Sequence, residues 1–419
     1  MQDANAQPSA GAKRILVISP WASRWSLGGG AGVSDDYYFI DKFSKRGFEI
    51  HFLIPKSNTP SDSSFENVFV HTYPDVFGAT QSWPTGLKRL TWPALFSSIV
   101  TVRALSVARD IKPDLILGHS HNSSFPAFVA RELLRLPTCV KLFGVMDLVH
   151  WEWPRWKYYF KNFEQIIALK MPHDIWIILD DGTKGRDAAL RHGVPSEKIR
   201  FLPNGINLEW MKIAYEKERI REELGIPPEV VVVLFLARLV GLKRPEMLLN
   251  AVPRVKQLTE KRLLFLFVGD GPSREGCERL TRSLEIETDV RFTGAIPHDK
   301  VPQIMSASDI FVSTSNFTNV AIPTCEAMVC GLPVVAFDVG NTRDLIHHGE
   351  NGLGVEDGNV FGLAEAVARL ATDESARREM AEHAKLLAGE KLTGWNERTD
   401  MELEIIRELI ERHGDPALS

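Results

Sequence analysis

The sequence predicts an α/β protein made of two doubly wound domains in tandem. Three observations carry this reading. Short β-branched runs alternate with amphipathic stretches along nearly the whole chain. The runs are apolar on both faces, as in parallel sheets covered by helices on either side. There are also two sets of runs, too many for one comfortable sheet, in a chain of 419 residues whose length suits two or three domains.

In the first half, strands are expected at 14–20, 49–55, 114–118, 138–144, 174–179 and 199–203. In the second half they are expected at 230–238, 263–269, 290–294, 309–315 and 333–339. Helical periodicity fills most gaps, clearly so from Pro245 to Leu258 and from Leu363 to Leu370. Pro203-Asn204-Gly205 is a turn-forming tripeptide after a strand and marks the boundary. This gives a first domain over 13–204 and a second over 205–392. The amphipathic stretch from Trp395 to Glu411 has no strand after it, so a helix over 393–412 is expected to cross back onto the first domain.

Composition narrows the function classes. Hydrophobic residues make up 44% and charged residues 25%, as in an ordinary globular protein. The longest apolar run, Val230 to Ala237, is far too short for a bilayer, which takes about 20 residues. The polar first dozen residues lack the apolar stretch of a secretory signal and read as a loose tail. Four cysteines without a CxxC argue against a disulfide framework or zinc ribbon and for a reducing, cytoplasmic compartment. A net charge of −5 gives no reason to expect a nucleic-acid partner. Residues 1–200 carry 24 Lys+Arg against 19 Asp+Glu, whereas 201–419 carry 25 against 35. This asymmetry reads either as two different surfaces or as a first half that faces something anionic.

Ligands of doubly wound sheets bind beyond the carboxyl ends of the strands. Four segments lie there. The glycines of SLGGGAGVS, namely Gly28, Gly29, Gly30 and Gly32, let backbone approach a ligand at a helix start, or simply form a flexible turn. A dinucleotide site is disfavoured, because Val33 stands where its third glycine belongs and the second strand ends in Pro55-Lys56. In GHSHNSSFP, His119 and His121 point to opposite sides of an extended segment, which disfavours a shared zinc ion. His121 reads equally well as a cap or as an active-site group. Arg238 and Lys243 end an apolar strand and suit a phosphate or diphosphate better than a surface ion pair. In 314–335, Pro323 opens a short helix with Glu326 in its first turn, placed for the helix dipole or for ribose hydroxyls.

These segments, in this order, resemble the retaining glycosyltransferases of family 4. The likeness runs from about Lys13 to Glu411 and is strongest over IRFLPNGINLEWM, LARLVGLKRPEMLL, FVGDGP, VRFTGAIPHDKVPQIMSASDIFVSTS, CEAMVCGLPVVAFDVGNTRDLI and GENGLGV. The resemblance implies the GT-B fold, two Rossmann-like domains facing across a cleft. It implies a nucleotide-sugar donor, a UDP- or GDP-sugar, and a glycan or lipid-linked hydroxyl acceptor. It places Gly29, Gly30 and Gly32 against the donor diphosphate and His121 beside the transferred sugar. Arg238 and Lys243 fall on the phosphate-binding pair, and Ile296 falls where backbone meets the base. Glu326 falls on the second glutamate of the E-x7-E motif, which binds ribose. The first glutamate of that motif is replaced by Thr318, and Gly144 stands where many relatives have histidine. Pro323 has no N–H, which leaves the amides of Asn319, Val320, Ala321 and Ile322 to the donor.

No Asp-x-Asp metal site is evident, so no cofactor or metal is expected: the cations and amides would stabilise the leaving diphosphate themselves. Two segments, 83–96 and 150–163, mix aromatics with cations. They suit internal packing, an acceptor cleft or peripheral contact with the inner face of a membrane. An epimerase or hydrolase on the same scaffold, or a non-catalytic sugar-nucleotide-binding subunit, are the alternatives.

Overall fold

The computed structural model describes residues 12–20, 34–56, 67–74, 88–145, 154–213 and 215–414. The N-terminal tail and the whole glycine segment 28–32 lie outside them, as do parts of both aromatic segments.

Seven parallel strands build the front lobe: β1 (Arg14–Ile18), β2 (Glu49–Pro55), β3 (Val68–Tyr73), β4 (Leu115–His119), β5 (Thr138–Leu142), β6 (Ile175–Asp180) and β7 (Ile199–Pro203). Their order is β3-β2-β1-β4-β5-β6-β7. The tiny β8 (Gly205–Ile206) follows at the junction. The rear lobe holds six more parallel strands: β9 (Val231–Leu236), β10 (Leu263–Val268), β11 (Val290–Gly294), β12 (Ile310–Ser313), β13 (Val334–Phe337) and β14 (Gly352–Val355), in the order β11-β10-β9-β12-β13-β14. Besides the two-residue strands at the junction, one strand in each main sheet was not expected from sequence. The half-buried edge strand β3 carries His71 and Thr72, and β14 carries two glycines.

Strand alternation explains both cores. In β9, Val231, Val233 and Phe235 pack into one apolar layer, while Val230, Val232 and Leu234 enter the layer on the opposite face. In β1, Ile15 and Val17 face one layer, and Leu16 and Ile18 the other. Period-two side chains that are apolar on both sides need helices on both faces, and each sheet has them.

The chain crosses between lobes twice. After β7 it passes through Asn204 into β8. Later it returns through β15 (Thr393–Gly394), which pairs with β8 in parallel. The Trp395–Gly414 helix then lies on the front lobe, with Leu403, Ile406, Leu409 and Ile410 inside the core layer of Ile15 and Val17. A buried ionic cluster fixes it there. Lys141 of β5 pairs with Asp35, at the start of the Ser34–Lys45 helix, and with Glu402 at 3.0 Å. Arg398 reaches Asp35 at 2.9 Å and Glu402 at 2.5 Å. Two cations and two anions thus compensate one another away from water, which is how buried charge is tolerated. No described helix is long and apolar enough to cross a membrane, and the four cysteines are free.

Candidate active site

Each sheet reverses its strand order once, between β1 and β4 in front and between β9 and β12 behind. The crevice beyond such a switch point is where an open α/β sheet binds ligands.

The rear crevice holds the cations. Arg238 follows β9 and is exposed. Lys243 is mostly buried in the same loop, with its Nζ 5.3 Å from the centroid of the Phe317 ring. Burial and the Arg238 charge push its pKa down, while Asp181 of the front lobe pulls it back up. The neighbouring Arg244 faces the protein instead. Its guanidinium donates to the carbonyls of Thr314 (2.9 Å) and Ser315 (3.1 Å), and Thr314 Oγ1 donates to the carbonyls of Lys243 and Arg244, both at 2.9 Å. Arg244 therefore ties the β9 loop to the β12 loop. Sequence reading did not separate its role from that of Lys243, because adjacent cations carry no label of direction.

The β12 loop is internally satisfied to a greater extent than its sequence implies. Asn319 Oδ1 accepts from Ser313 Oγ (2.6 Å) and Ser315 N (3.1 Å), and its Nδ2 donates to the Phe337 carbonyl (2.6 Å). The Asn319 N–H donates to Thr342 Oγ1 and the Val320 N–H to Thr318 Oγ1. Two of the four amides expected to face the donor are thus already engaged, because small hydroxyls lie within reach of them. Ala321 caps the Ile322–Val329 helix in extended conformation, and Ile322 opens it. The Thr318 hydroxyl donates to Asn341 Oδ1 at 3.1 Å and is buried. Ile296, after β11, packs its side chain partly against the rear core.

Glu326 lies in that helix, buried, and accepts a hydrogen bond from His298 Nε2 at 2.8 Å. Burial raises the Glu326 pKa, and His298 partly counters it. For His298, burial acts downward, but the bond to Glu326 and the charges of Glu326 and Asp299 outweigh it and leave the pKa raised. The His298 ring sits 5.3 Å from that of Trp210. Sequence reading missed His298. Its signal was a titratable residue just after β11, level with the glutamate. Tyr38 of the front lobe donates to Asn207 Oδ1 at 2.5 Å and stacks on Trp395 with ring centroids 4.6 Å apart. Burial, Tyr37 and Glu326 push its phenol up to about 12, so the hydroxyl keeps its proton at neutral pH.

In the front crevice the two histidines separate as their spacing requires. His119 is fully buried among Phe39, Phe52 and Phe143, with Nδ1 3.3 Å from Asp36 Oδ1. Burial, and then Lys141, push its pKa down to about 3, so it is neutral. His121 lies in a short 3-10 turn, with Nδ1 3.2 Å from Ser120 Oγ and Nε2 3.7 Å from Glu164 Oε2. Ser120 takes a positive φ of 70°, which turns the chain out of β4 and brings His121 to the crevice edge. The lobes touch at Gly182 (φ +81°). A Cβ there would overlap Thr318 Oγ1 and Asn341 Oδ1. Among the described residues, no group of three or more His, Cys, Asp or Glu is gathered as a metal site would require.

Two family profiles match this architecture end to end. Glycosyltransferase Family 4 matches residues 37–210 and Glycosyl transferases group 1 matches residues 216–387. This chain belongs to the family 4 glycosyltransferases. Among relatives of the glycosyltransferase is an uncharacterized glycosyltransferase of Methanocaldococcus jannaschii, 29% identical over 198 residues (46% of this chain and 49% of the relative). Another is the D-inositol 3-phosphate glycosyltransferase of Corynebacterium jeikeium, 31% identical over 194 residues (44% and 46%). These matches span about half the length of the curated relatives. Solved structures share the GT-B fold over nearly the whole chain. Anabaena HepE in complex with UDP and glucose aligns with a TM-score of 0.69 at 18% identity, covering 94% of this chain and 99% of that one. Sucrose-phosphate synthase from Thermosynechococcus elongatus aligns at 0.73 and 18%, covering 95% and 99%.

Proposed function

We propose that this glycosyltransferase moves a sugar from a UDP- or GDP-sugar to a hydroxyl of a glycan or lipid-linked acceptor, with retention of configuration and without a metal. The observation that carries the reading is the pairing of Arg238 with Lys243 at the rear switch point, where a front-lobe carboxylate also acts on Lys243. Breaking the bond from anomeric carbon to phosphate puts negative charge on the leaving diphosphate. Two preorganised cations in a half-dry crevice stabilise that charge more than the ground state. The acceptor hydroxyl attacks from the face the diphosphate leaves, a diphosphate oxygen takes its proton, and no protein nucleophile is needed. Glu326, held by His298, is placed to accept from ribose hydroxyls, and His121 stands on the opposite wall.

The test is thermal stabilisation by UDP and GDP, followed by turnover of their sugar conjugates with and without an acceptor, in the presence of a chelator. Acceptor-dependent transfer that survives chelation is expected. Turnover of donor alone at the same rate would instead identify an epimerase or hydrolase. Peripheral contact with an anionic membrane belongs to the same reading. The Arg155–Leu169 helix exposes Trp156, Tyr159, Phe160 and Ile167 beside Lys157 and Lys161, a mixture suited to an interface. Flotation with anionic liposomes at low salt is expected, and protein left at the bottom of the gradient removes the membrane element alone.

A further inference from the structure

Asp181 follows the last residue of β6 and stands on the line where the lobes meet. One of its oxygens is fixed. Oδ1 accepts from the Thr183 N–H at 3.1 Å and from Thr183 Oγ1 at 2.5 Å, and Thr183 Oγ1 in turn accepts from the Val145 N–H at 3.0 Å. The other oxygen is not. Among the described residues no hydrogen-bond donor reaches Oδ2, although the side chain is largely out of water. Room for it is made at Gly144, where the backbone has φ +132° and a Cβ would overlap Asp181 Oδ2. The absence of a side chain at 144 and the presence of a carboxylate at 181 are therefore two halves of one arrangement.

The next residue, Gly182, lies directly on Thr318 and Asn341 of the rear lobe. Thr318 already uses its hydroxyl as donor to Asn341 and as acceptor from Val320. Asp181 is an acidic acceptor at this meeting line, with Lys243 near enough to feel its charge. A partly buried carboxylate oxygen that accepts from no protein donor is open to one from a ligand. A phosphate does not, since it is also an anion. A sugar hydroxyl does, and charge sorts the donor along the crevice accordingly: diphosphate toward Arg238 and Lys243, sugar toward Asp181.

We infer that Asp181 is a specificity-determining residue whose Oδ2 accepts a hydrogen bond from a hydroxyl of the donor's sugar. The inference rests on the nucleotide-sugar reading above. Its test is calorimetric titration of the wild type, Asp181→Asn and Asp181→Ala with UDP, UDP-glucose, UDP-N-acetylglucosamine, GDP and GDP-mannose. Binding of the bare nucleotide is expected to persist in all three proteins, which also shows that the variants fold. The ratio of sugar-nucleotide to nucleotide affinity is expected to fall by about tenfold to a hundredfold in both variants. UDP-glucose analogues deoxygenated singly at C3, C4 and C6 then locate the contact. One deoxygenation is expected to weaken the wild type by that same factor and the variants not at all. Equal losses for nucleotide and sugar-nucleotide would overturn the inference, because Asp181 would then act only through Lys243 or the fold. Unchanged ratios would overturn it as well. A wild type that binds no nucleotide would show instead that the parent reading fails, and the first titration alone reveals this.

Discussion

The two switch-point crevices have the same geometry and opposite furnishings. Behind β9 and β12, the crevice presents Arg238 and Lys243, with Arg244 turned inward to tie the two loops together. In front, His121 follows β4 and Asp181 follows β6, while His119 is buried and neutral. The rear loops are held to one another by hydrogen bonds that join Arg244 and Lys243 to Thr314 and Ser315. The start of the front Ser34–Lys45 helix is held by a buried ionic cluster in which Lys141 and Arg398 are each more than a hundred residues from Asp35. The lesson is that one scaffold can carry two crevices of different charge, with hydrogen bonds to backbone carbonyls tying one together and a buried ionic cluster the other.

Four variants probe that difference. The largest effect is expected for Arg398→Leu, which leaves Asp35 and Glu402 buried with only Lys141 between them. Removing one partner of a buried ionic group costs about 3–5 kcal/mol. Chemical denaturation measures it, and nucleotide binding by the rear lobe should persist below the transition. Burial alone would raise the Asp35 pKa, but Lys141 and Arg398 outweigh it and hold it below the usual value. The wild-type contribution is therefore present above the unfolded-state pKa and is lost as pH falls through the folded one. In the variant that acid-labile component shrinks. If the denaturation midpoint did not move, the front lobe would not depend on the cluster.

Next come Arg238→Ala and Lys243→Ala, each expected to cut turnover about 100-fold or more, with melting temperature nearly unchanged for the exposed Arg238. Initial rates at saturating donor check this, and near-normal rates in both would undo the assignment of charge to the rear wall. The smallest effect is expected for His298→Leu. Glu326 then loses the hydrogen bond and charge that hold its raised pKa down. The acidic limb of nucleotide affinity should move to higher pH, with about a fivefold loss at neutral pH. A pH series of nucleotide titrations reads both, and an unmoved limb would mean that Glu326 does not face the ribose.

Most of the scaffold was legible because local pattern decides it. Runs such as VVVVLFL are apolar at every position, and only a strand between two helix layers accommodates that. Strand β14 escaped because Gly352 and Gly354 carry no pattern, and β3 because an exposed edge tolerates His71 and Thr72. Arg238 and Lys243 were singled out from their place after a strand, and Glu326 from an expected first turn, whereas it lies one turn further into the Ile322–Val329 helix. Lys141, Asp35, Arg398 and Glu402 were not, since nothing in the sequence links charges that only tertiary folding brings together. Asp181 stands next to Asp180, without the Asp-x-Asp spacing of a metal site, so nothing in the local sequence singled it out. What it faces depends on Gly144, which is distant in sequence and informative only because it lacks a side chain.

The parallel pairing of β8 with β15 has a mechanical consequence. The polypeptide passes from lobe to lobe along two neighbouring strands bonded to each other, so the joint behaves as a strap rather than a thread. A strap bends readily about one axis and resists twisting about the others. Any rotation of one lobe against the other has to work about this strap, and it would part Gly182 from the two side chains it now touches.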